Sequence, residues 1–227
     1  MSWREWVRGP EIEPSIYAAD FADLRADLGR VMDVGARIFH FDVGDGHFVE
    51  PITMGPIVVR SIAPLLHERG AVLDCHLMVD NPERHIPQFA RAGGDSVTFH
   101  VEATDDAGRT AALAREHGLG AGMAFVPETA VEDAVAAALD AGVDFVLCMT
   151  IHPGYSGQET LPESYERVAR TRELLPETVL VQVDGGVHLA NARRLREAGA
   201  QLLVAGAAVF DAADPGAAYA ELARTVA

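Results

Sequence analysis

One fourteen-residue segment carries the polar side chains best placed to do chemistry. Residues 37–50 read R-I-F-H-F-D-V-G-D-G-H-F-V-E, a strand pattern in which His40 and Asp42 alternate with apolar residues before a glycine turn. Side chains two positions apart on a strand lie on one face, so an imidazole and a carboxylate are expected side by side at the strand's C-terminal end. Such a pair could simply be buried and hydrogen-bonded, or it could bind a metal ion or move protons.

Two further predicted strands carry residues of the same kind near their C-terminal ends. His76 lies inside the apolar run D-C-H-L-M-V, and Asp184 ends the run V-L-V-Q-V before a pair of glycines. Two histidines and two aspartates near strand ends predict a site for one divalent metal ion, for which mixed nitrogen and oxygen ligands suit zinc, Fe(II), manganese or cobalt. Two carboxylates at one metal indicate a two-base reaction. One would remove a proton beside a carbonyl group and the other would return a proton to the opposite face.

The elements that must position these residues repeat as a strand followed by a helix, about eight times. The strands are apolar throughout, as expected when both faces of a sheet are covered. The period predicts a single (β/α)8 barrel over residues 13–227, after an N-terminal extension of residues 1–12; a doubly wound open sheet is the alternative. Residues 14–18 are predicted as the first strand, and Asp20 as the N-cap of the first barrel helix. Trp3 and Trp6 are expected either to pack on the barrel or a partner subunit, or to form a frayed tail.

Glycine-containing loops follow the last three predicted strands. The C-terminal ends of barrel strands converge on one mouth, and the loops after strands seven and eight often bind phosphate there through backbone N–H groups. The loops read H-P-G-Y-S-G-Q after strand six, G-G after strand seven and G-A-A after strand eight. Together they predict a pocket for a phosphorylated substrate.

Composition limits the partners that the chain could have. The 227 residues carry a formal net charge of −16, which argues against nucleic acid and anionic membranes as partners. No window approaches the roughly 20 apolar residues of a membrane span. Cys75 and Cys148 both lie in predicted core strands, and the absence of a disulfide framework favours a reducing, cytoplasmic location.

Seven stretches of the chain follow one another in a characteristic order and spacing. They read P-S-I-Y-A-A-D-F, F-H-F-D-V-G-D-G-H-F-V, L-D-C-H-L-M-V, D-S-V-T-F-H-V-E-A, M-T-I-H-P-G-Y-S-G-Q, V-D-G-G-V and V-A-G-A-A-V-F. In these stretches the chain resembles the ribulose-phosphate 3-epimerase family, from about Glu13 to the C-terminus. The resemblance implies a (β/α)8 barrel that uses a divalent metal ion to interconvert D-ribulose 5-phosphate and D-xylulose 5-phosphate, and it suggests a homo-oligomer.

The resemblance also implies a role for individual residues. It gives His40, Asp42, His76 and Asp184 as metal ligands, with Asp42 and Asp184 also acting as the acid/base pair. Substrate contacts are implied at the strand ends and in the glycine loops. The residues concerned are Ser15, His76, Gly154, Tyr155, Ser156, Gly157, Gln158, Gly185, Gly186, Gly206 and Ala207. His100 is expected to lie behind the ligands or to pack in the core.

The chain departs from the family pattern around the expected sugar and phosphate positions. Gly44 stands where the family usually has Met and is expected to open room in the pocket or to loosen it. His152 replaces an amide side chain, Ser156 a glycine and Ala207 a serine, while the following P-I-T-M-G loop is shortened or altered. The alternatives are therefore a 3-epimerase of another ketose phosphate, such as allulose 6-phosphate or a specialised-pathway sugar, and a non-catalytic sugar-phosphate-binding barrel. A decarboxylase or synthase is disfavoured because those chemistries commonly need a lysine, and this chain has none.

Overall fold

Eight parallel strands alternate with helices along the chain. The structure is a computed structural model that describes residues 3–227. The strands are β1 (Glu11–Pro14), β2 (Ile38–Gly44), β3 (Val72–Met78), β4 (Ser96–His100), β5 (Gly120–Phe125), β6 (Phe145–Met149), β7 (Leu180–Asp184) and β8 (Leu202–Ala205). The helices are α1 (Trp3–Trp6), α2 (Leu24–Asp33), α3 (Pro56–Glu68), α4 (Pro82–Ala92), α5 (Ala107–Glu116), α6 (Val131–Ala141), α7 (Ser164–Leu174), α8 (Ala192–Glu197), α9 (Ala207–Phe210) and α10 (Pro215–Val226).

The strands form one parallel sheet that curls into a barrel. Their order is β1-β8-β7-β6-β5-β4-β3-β2, and a parallel bridge between Ser15 and His40 joins the two ends. The predicted (β/α)8 barrel is therefore confirmed over the open-sheet alternative. The β2–β3 register sets Asp42 beside His76, so polar residues of neighbouring strands meet at one level of the interior.

The N-terminal elements differ from the prediction. Strand β1 begins at Glu11, and residues 16–18 form a turn of 3-10 helix instead of continuing the strand. Asp23, not Asp20, is the N-cap of helix α2, and the Asp20 carboxylate accepts the Ala22 N–H in a turn before the helix. The start of β1 was not predicted because Glu13, a charged residue type, lies fully buried inside the barrel.

Helix α1 covers the end of the barrel opposite the strand C-termini. The Trp3 side chain is 1% exposed, and its ring centroid lies 4.5 Å from that of Phe145. Ile38, Leu180 and Leu202, at or near the starts of their strands, complete this apolar cluster. Of the alternatives for the N-terminal tryptophans, packing on the chain's own barrel is the one observed for Trp3.

The upper part of the barrel interior divides into a polar and an apolar side. On β5 and β6 the inward residues are Ala124, Leu147 and Met149, which form an apolar cluster with Ile151. On the remaining strands the fully buried polar residues include Glu13, His40, Asp74, His76, Ser96, Thr98, His100 and Gln182. Within residues 3–227, no helix is long and apolar enough to cross a membrane.

Candidate metal and active site

Four side chains from three strands converge at the C-terminal end of the barrel. His40 Nε2 and His76 Nδ1 lie 3.2 Å apart, and Asp42 Oδ1 lies 3.3 Å and 3.2 Å from them. Asp184 Oδ2 approaches the same two nitrogens at 4.0 Å and 3.6 Å. One ligand-type atom from each residue lies within 4.8 Å of the others, and two imidazoles with two carboxylates form a donor set that fits a divalent cation.

The charges within this cluster are strongly coupled. Burial opposes the charged form of His40, but Asp42, Asp74 and Asp184 outweigh burial and hold the pKa of His40 well above its ordinary value. Burial likewise opposes the charged form of His76, yet hydrogen bonding to Asp184 and Asp42 raises its pKa. Burial also opposes ionisation of Asp42, whose pKa is nevertheless held well below its usual range by the two imidazoles. The carboxylates thus favour the protonated form of both imidazoles, and a bound cation would displace the imidazole protons.

The two aspartates are fixed by hydrogen bonds from neighbouring strands and loops. Ser15 Oγ donates to Asp42 Oδ2 at 2.5 Å, which leaves Asp42 Oδ1 facing the histidines. The backbone N–H and the hydroxyl of Thr150 both donate to the carbonyl oxygen of Asp184 at 2.8 Å. Thr150, which the sequence did not single out, therefore holds the end of β7 where Asp184 leaves the strand.

A fully buried carboxylate lies behind His40. Asp74 Oδ2 is 3.3 Å from His40 Nδ1, and Asp74 in turn accepts hydrogen bonds from Ser96 Oγ at 2.6 Å and Thr98 Oγ1 at 3.0 Å. Glu13 Oε2 lies 3.8 Å from the same ring nitrogen. Burial, followed by the charge of Asp74, raises the pKa of Glu13 to about 8, so this carboxyl group is largely protonated at neutral pH.

A second imidazole lies behind His76. His76 Nε2 is 2.9 Å from His100 Nε2, and His100 Nδ1 is 3.3 Å from Glu102 Oε2. Glu102 Oε1 accepts the Val126 N–H at 3.0 Å and also the Thr129 hydroxyl. Burial lowers the pKa of His100 to about 4, so its ring is neutral at neutral pH. His100 thus lies behind a ligand-type residue, as expected from the sequence.

A cavity of about 210 Å³ opens above the cluster. Asp42 and Asp184 line it, whereas His40 and His76 lie fully buried beneath it. The other predicted substrate-contact residues also line it, namely Ser15, Gly154, Tyr155, Ser156, Gly157, Gln158, Gly185, Gly186, Gly206 and Ala207. Lining residues for which no substrate contact was predicted include Tyr17, Met78, Met149, Ile151, Glu159 and His188. Met78 and Met149, predicted from the sequence to lie in the core or to line the pocket, both line the cavity, and Met78 lies two positions after His76 on the same face of β3.

The glycine pair after β7 is required by close packing. Gly185 has φ +124°, and a Cβ atom there would lie 2.4 Å from Ile151 Cγ1. At Gly186, with φ +67°, a Cβ atom would lie 2.6 Å from the Thr160 nitrogen and 2.7 Å from the Gln158 carbonyl oxygen. Only glycine lets these two loops meet at such distances, so the pair brings backbone close to the cavity wall.

The expectation that Gly44 opens the pocket is wrong. A Cβ atom at Gly44 would lie 2.6 Å from the Pro51 carbonyl oxygen and 2.9 Å from Val49 Cγ2. Thr53 ties the following loop to β2, because its hydroxyl accepts the Gly44 N–H at 2.7 Å and its own N–H donates to the Gly44 carbonyl. The volume of a side chain at this position is therefore filled by the loop itself, and Gly44 does not line the cavity.

The other departures from the family pattern lie at different distances from the cavity. Ser156 Oγ is 3.5 Å from the position of a Cβ atom on Gly206, so its hydroxyl lies beside the loop after β8. Ala207 begins α9 at the same wall. His152 is an exposed residue whose Nδ1 lies 2.9 Å from Glu128 Oε1, and it does not line the cavity.

The fold is a (β/α)8 barrel, and its interior carries a two-histidine, two-aspartate cluster that could hold a divalent cation. The model of the ribulose-phosphate 3 epimerase family matches residues 11–210. The chain is 42% identical over 219 residues to ribulose-phosphate 3-epimerase of Mycobacterium tuberculosis (strain ATCC 25618 / H37Rv), covering 95% of this chain and 93% of that protein. It is 39% identical over 216 residues to the Bacillus subtilis (strain 168) protein of the same name, covering 93% and 97%.

Solved structures agree on the architecture. The 3-hexulose-6-phosphate synthase from Salmonella typhimurium superposes with a TM-score of 0.74 at 15% identity, covering 95% of this chain and 98% of that one. Identity at that level shows a common barrel fold alone. The family match, which spans most of the chain, is decisive: the chain belongs to the ribulose-phosphate 3-epimerase family.

Proposed function

We propose that this chain is a metal-dependent ketose-phosphate 3-epimerase that interconverts D-ribulose 5-phosphate and D-xylulose 5-phosphate. The observation that carries the proposal is the placement of Asp42 and Asp184. Both line one cavity, both reach the His40 and His76 nitrogens, and they come from strands separated around the barrel. Inversion at a carbon needs two proton-transfer groups that address opposite faces, and two carboxylates from different strands meet that need.

In the proposed reaction the two aspartates exchange roles with direction. One enters as a carboxylate, removes the C3 proton beside the C2 carbonyl group and becomes a carboxylic acid. The other enters as a carboxylic acid, delivers its proton to the opposite face of C3 and becomes a carboxylate. The reverse reaction uses the same groups in exchanged roles, so no proton is gained or lost overall.

His40, Asp42, His76 and Asp184 are the residues that would hold the divalent cation. A bound cation would stabilise the negative charge that develops on the substrate oxygens while C3 lacks its proton. Zinc, Fe(II), manganese and cobalt all suit the donor set. Ser15 would keep Asp42 oriented through its hydroxyl, and Thr150 would do the same for the end of β7.

The phosphate group would lie at the wall formed by the loops after β6, β7 and β8. None of the cavity-lining residues, within the described part of the chain, is an arginine or lysine. Phosphate binding would therefore rely on backbone N–H groups near Gly185, Gly186 and Gly206 and on the Ser156 hydroxyl. His76 lies beneath the cavity floor and would act on substrate through the metal.

We propose D-ribulose 5-phosphate over a larger sugar, because the extra room expected at Gly44 is absent. The loop at Pro51 fills the space that a side chain at position 44 would occupy. We also propose a cytoplasmic location, which the two buried free cysteines, Cys75 and Cys148, support. We propose a homo-oligomer because two large apolar side chains, Ile52 and Ile57, are exposed beside the barrel mouth. Trp3 does not contribute to this proposal, because it is buried against its own chain.

The experiment that tests the proposal is C3 proton exchange. Metal-loaded protein is incubated with D-ribulose 5-phosphate in deuterated water, and proton NMR follows deuterium incorporation at C3 and formation of D-xylulose 5-phosphate. We expect both signals, and neither after the metal is removed with a chelator. Absence of C3 exchange from loaded protein would refute the proposal.

The Asp184→Asn variant separates the acid/base role from the fold. An amide cannot remove the C3 proton, so we expect turnover to fall at least about a thousandfold, in line with the loss of an essential proton-transfer group. Circular dichroism and thermal unfolding should stay close to those of the unaltered chain, because the Asp184 side chain is partly exposed at the cavity. A variant that keeps full activity would remove Asp184 from the mechanism.

A further inference from the structure

His76 presents its two ring nitrogens to different surroundings. Nδ1 faces the ligand cluster, at 3.2 Å from Asp42 Oδ1 and 3.6 Å from Asp184 Oδ2. Nε2 points the other way and lies 2.9 Å from His100 Nε2. The His76 and His100 rings are fully buried and stack at 21° with centroids 5.0 Å apart.

The geometry fixes where the protons of this pair must be when His76 binds a cation. A metal bound at Nδ1 uses the lone pair of that nitrogen, so the proton of the neutral His76 ring lies on Nε2. Nε2 then donates, and His100 Nε2 must accept, which puts the His100 proton on Nδ1. His100 Nδ1 faces Glu102 Oε2 at 3.3 Å, so its proton also has an acceptor.

We propose that His100 and Glu102 are positioning residues that hold His76 in the tautomer and ring orientation needed to bind the metal through Nδ1. They touch neither the cluster's other ligand atoms nor the cavity. Their action is carried by two consecutive hydrogen bonds, in which a carboxylate orients one imidazole and that imidazole orients the ligand. A partner on the second ring nitrogen of a metal-binding histidine typically changes metal affinity 10- to 100-fold.

The far end of this hydrogen-bond chain is itself anchored. Glu102 Oε1 accepts the Val126 N–H and the Thr129 hydroxyl, both from the loop between β5 and α6. The Glu102 side chain is 23% exposed, so the chain runs from the buried ligand to the rim of the barrel. Phe48 also packs against the His100 ring, with centroids 4.7 Å apart and the ring planes tilted by 48°.

Three variants test the hydrogen bonds from Glu102 to His76, one tests the packing on His100 and one tests a hydrogen bond outside that chain. His100→Leu removes both bonds, and Glu102→Ala removes the outer one. His100→Gln keeps an oxygen that can accept from His76 Nε2 and an N–H that can donate to Glu102. Phe48→Leu alters the packing on His100, and Thr129→Val removes a hydroxyl bond to Glu102 that lies outside the chain to His76.

The readouts are metal binding and the spectrum of the bound metal. Dissociation constants for Zn²⁺ and Co²⁺ are measured by competition with a chromophoric chelator, and the d–d absorption of the Co²⁺ form reports ligand geometry. We expect His100→Leu and Glu102→Ala to weaken binding about 10- to 100-fold with an altered Co²⁺ spectrum. His100→Gln, Phe48→Leu and Thr129→Val should stay within about threefold and keep the spectrum.

Two results would overturn the proposal. One is His100→Leu or Glu102→Ala binding metal as tightly as the unaltered chain; the other is His100→Gln losing as much affinity as His100→Leu. If His100→Leu does not fold, Glu102→Ala and His100→Gln decide: unchanged affinity in Glu102→Ala, or a loss in His100→Gln as large as that in Glu102→Ala, overturns the proposal. The inference depends on the proposed cation site but not on the substrate. Unchanged metal affinity in the variants, with C3 exchange by the unaltered chain, would refute the inference alone; weakened metal binding in the variants, without C3 exchange by the unaltered chain, would refute the proposed function alone.

Discussion

The two histidines of the candidate metal site, His40 and His76, have different kinds of surroundings. Behind His40 lies a buried layer, formed by Glu13, Asp74, Ser96, Thr98 and Gln182, in which every residue is 0% exposed. Behind His76 lies an outward chain, formed by His100 and Glu102, which ends on a carboxylate that solvent reaches. The histidines are on adjacent strands and share one cluster, so the comparison isolates the effect of what lies behind each ring.

The two surroundings differ in whether water can replace a lost hydrogen-bond partner. In the buried layer a lost partner leaves polar atoms that solvent cannot reach, and an unpaired buried group costs its full desolvation penalty. In the outward chain, water at the rim can take over the bonds of a missing carboxylate. Stability and metal binding should therefore change together behind His40 and separately behind His76.

The largest effect is expected from Asp74→Ala. This change leaves His40 Nδ1 and the Ser96 and Thr98 hydroxyls without their carboxylate partner in a dry interior. We expect the free energy of unfolding of the metal-free protein to fall by about 3 kcal/mol, the lower end for breaking a buried charged network. Urea unfolding with a chelator present measures it, and Asp74→Asn is the matched control that keeps the volume and one acceptor oxygen.

A loss below about 1 kcal/mol for Asp74→Ala would contradict the comparison, because surface polar groups typically contribute that much or less. The same variant should bind Zn²⁺ at least about tenfold more weakly, since His40 loses the carboxylate that faces its Nδ1 at 3.3 Å.

An intermediate, pH-dependent effect is expected from Glu13→Gln. The pKa of Glu13 is about 8 in the folded chain and near 4.5 when unfolded, so the folded state binds the extra proton between these values. The contribution of protonated Glu13 to the free energy of unfolding is fully present below about pH 4.5 and is lost as pH rises toward 8. Glutamine stays neutral, so the variant should gain stability relative to the unaltered chain by up to about 1.4 kcal/mol per pH unit across this window.

Urea unfolding of both metal-free proteins at pH 5.5, 7 and 8.5 measures the Glu13 effect. Parallel stability profiles for the two proteins would show that Glu13 ionises at its ordinary pKa. That result would contradict the dryness assigned to the buried layer.

The sequence predicted the ligand side of this comparison and missed most of its supports. His40, Asp42, His76 and Asp184 could be brought together because strand alternation and the convergence of strand ends in a barrel are local rules extended by symmetry. Glu13 could not be placed, because a glutamate inside a barrel breaks the polar-outside rule and its partner Gln182 is 169 residues away.

Gly44 shows the same limit of prediction from the sequence, here at the cavity. Its replacement of a larger residue indicated free space only while the neighbouring loop was unknown. In the structure the carbonyl oxygen of Pro51 fills that space. A substitution read alone gives a change in side-chain volume, whereas the pocket depends on which backbone moves into the volume.

The smallest effect on stability, and the clearest separation of the two regions, is expected from Glu102→Ala. Its carboxylate is partly exposed, so water can reach the Val126 N–H and His100 Nδ1 that it leaves, and we expect the free energy of unfolding to fall by about 1 kcal/mol or less. Metal affinity should still fall about tenfold, because mobile water does not hold the His100 ring as a fixed carboxylate does. Asp74→Ala would lower both the free energy of unfolding and the metal affinity, whereas Glu102→Ala would lower mainly the metal affinity. Equal stability losses in the two variants, measured by urea unfolding under identical conditions, would mean that the two histidines are supported alike.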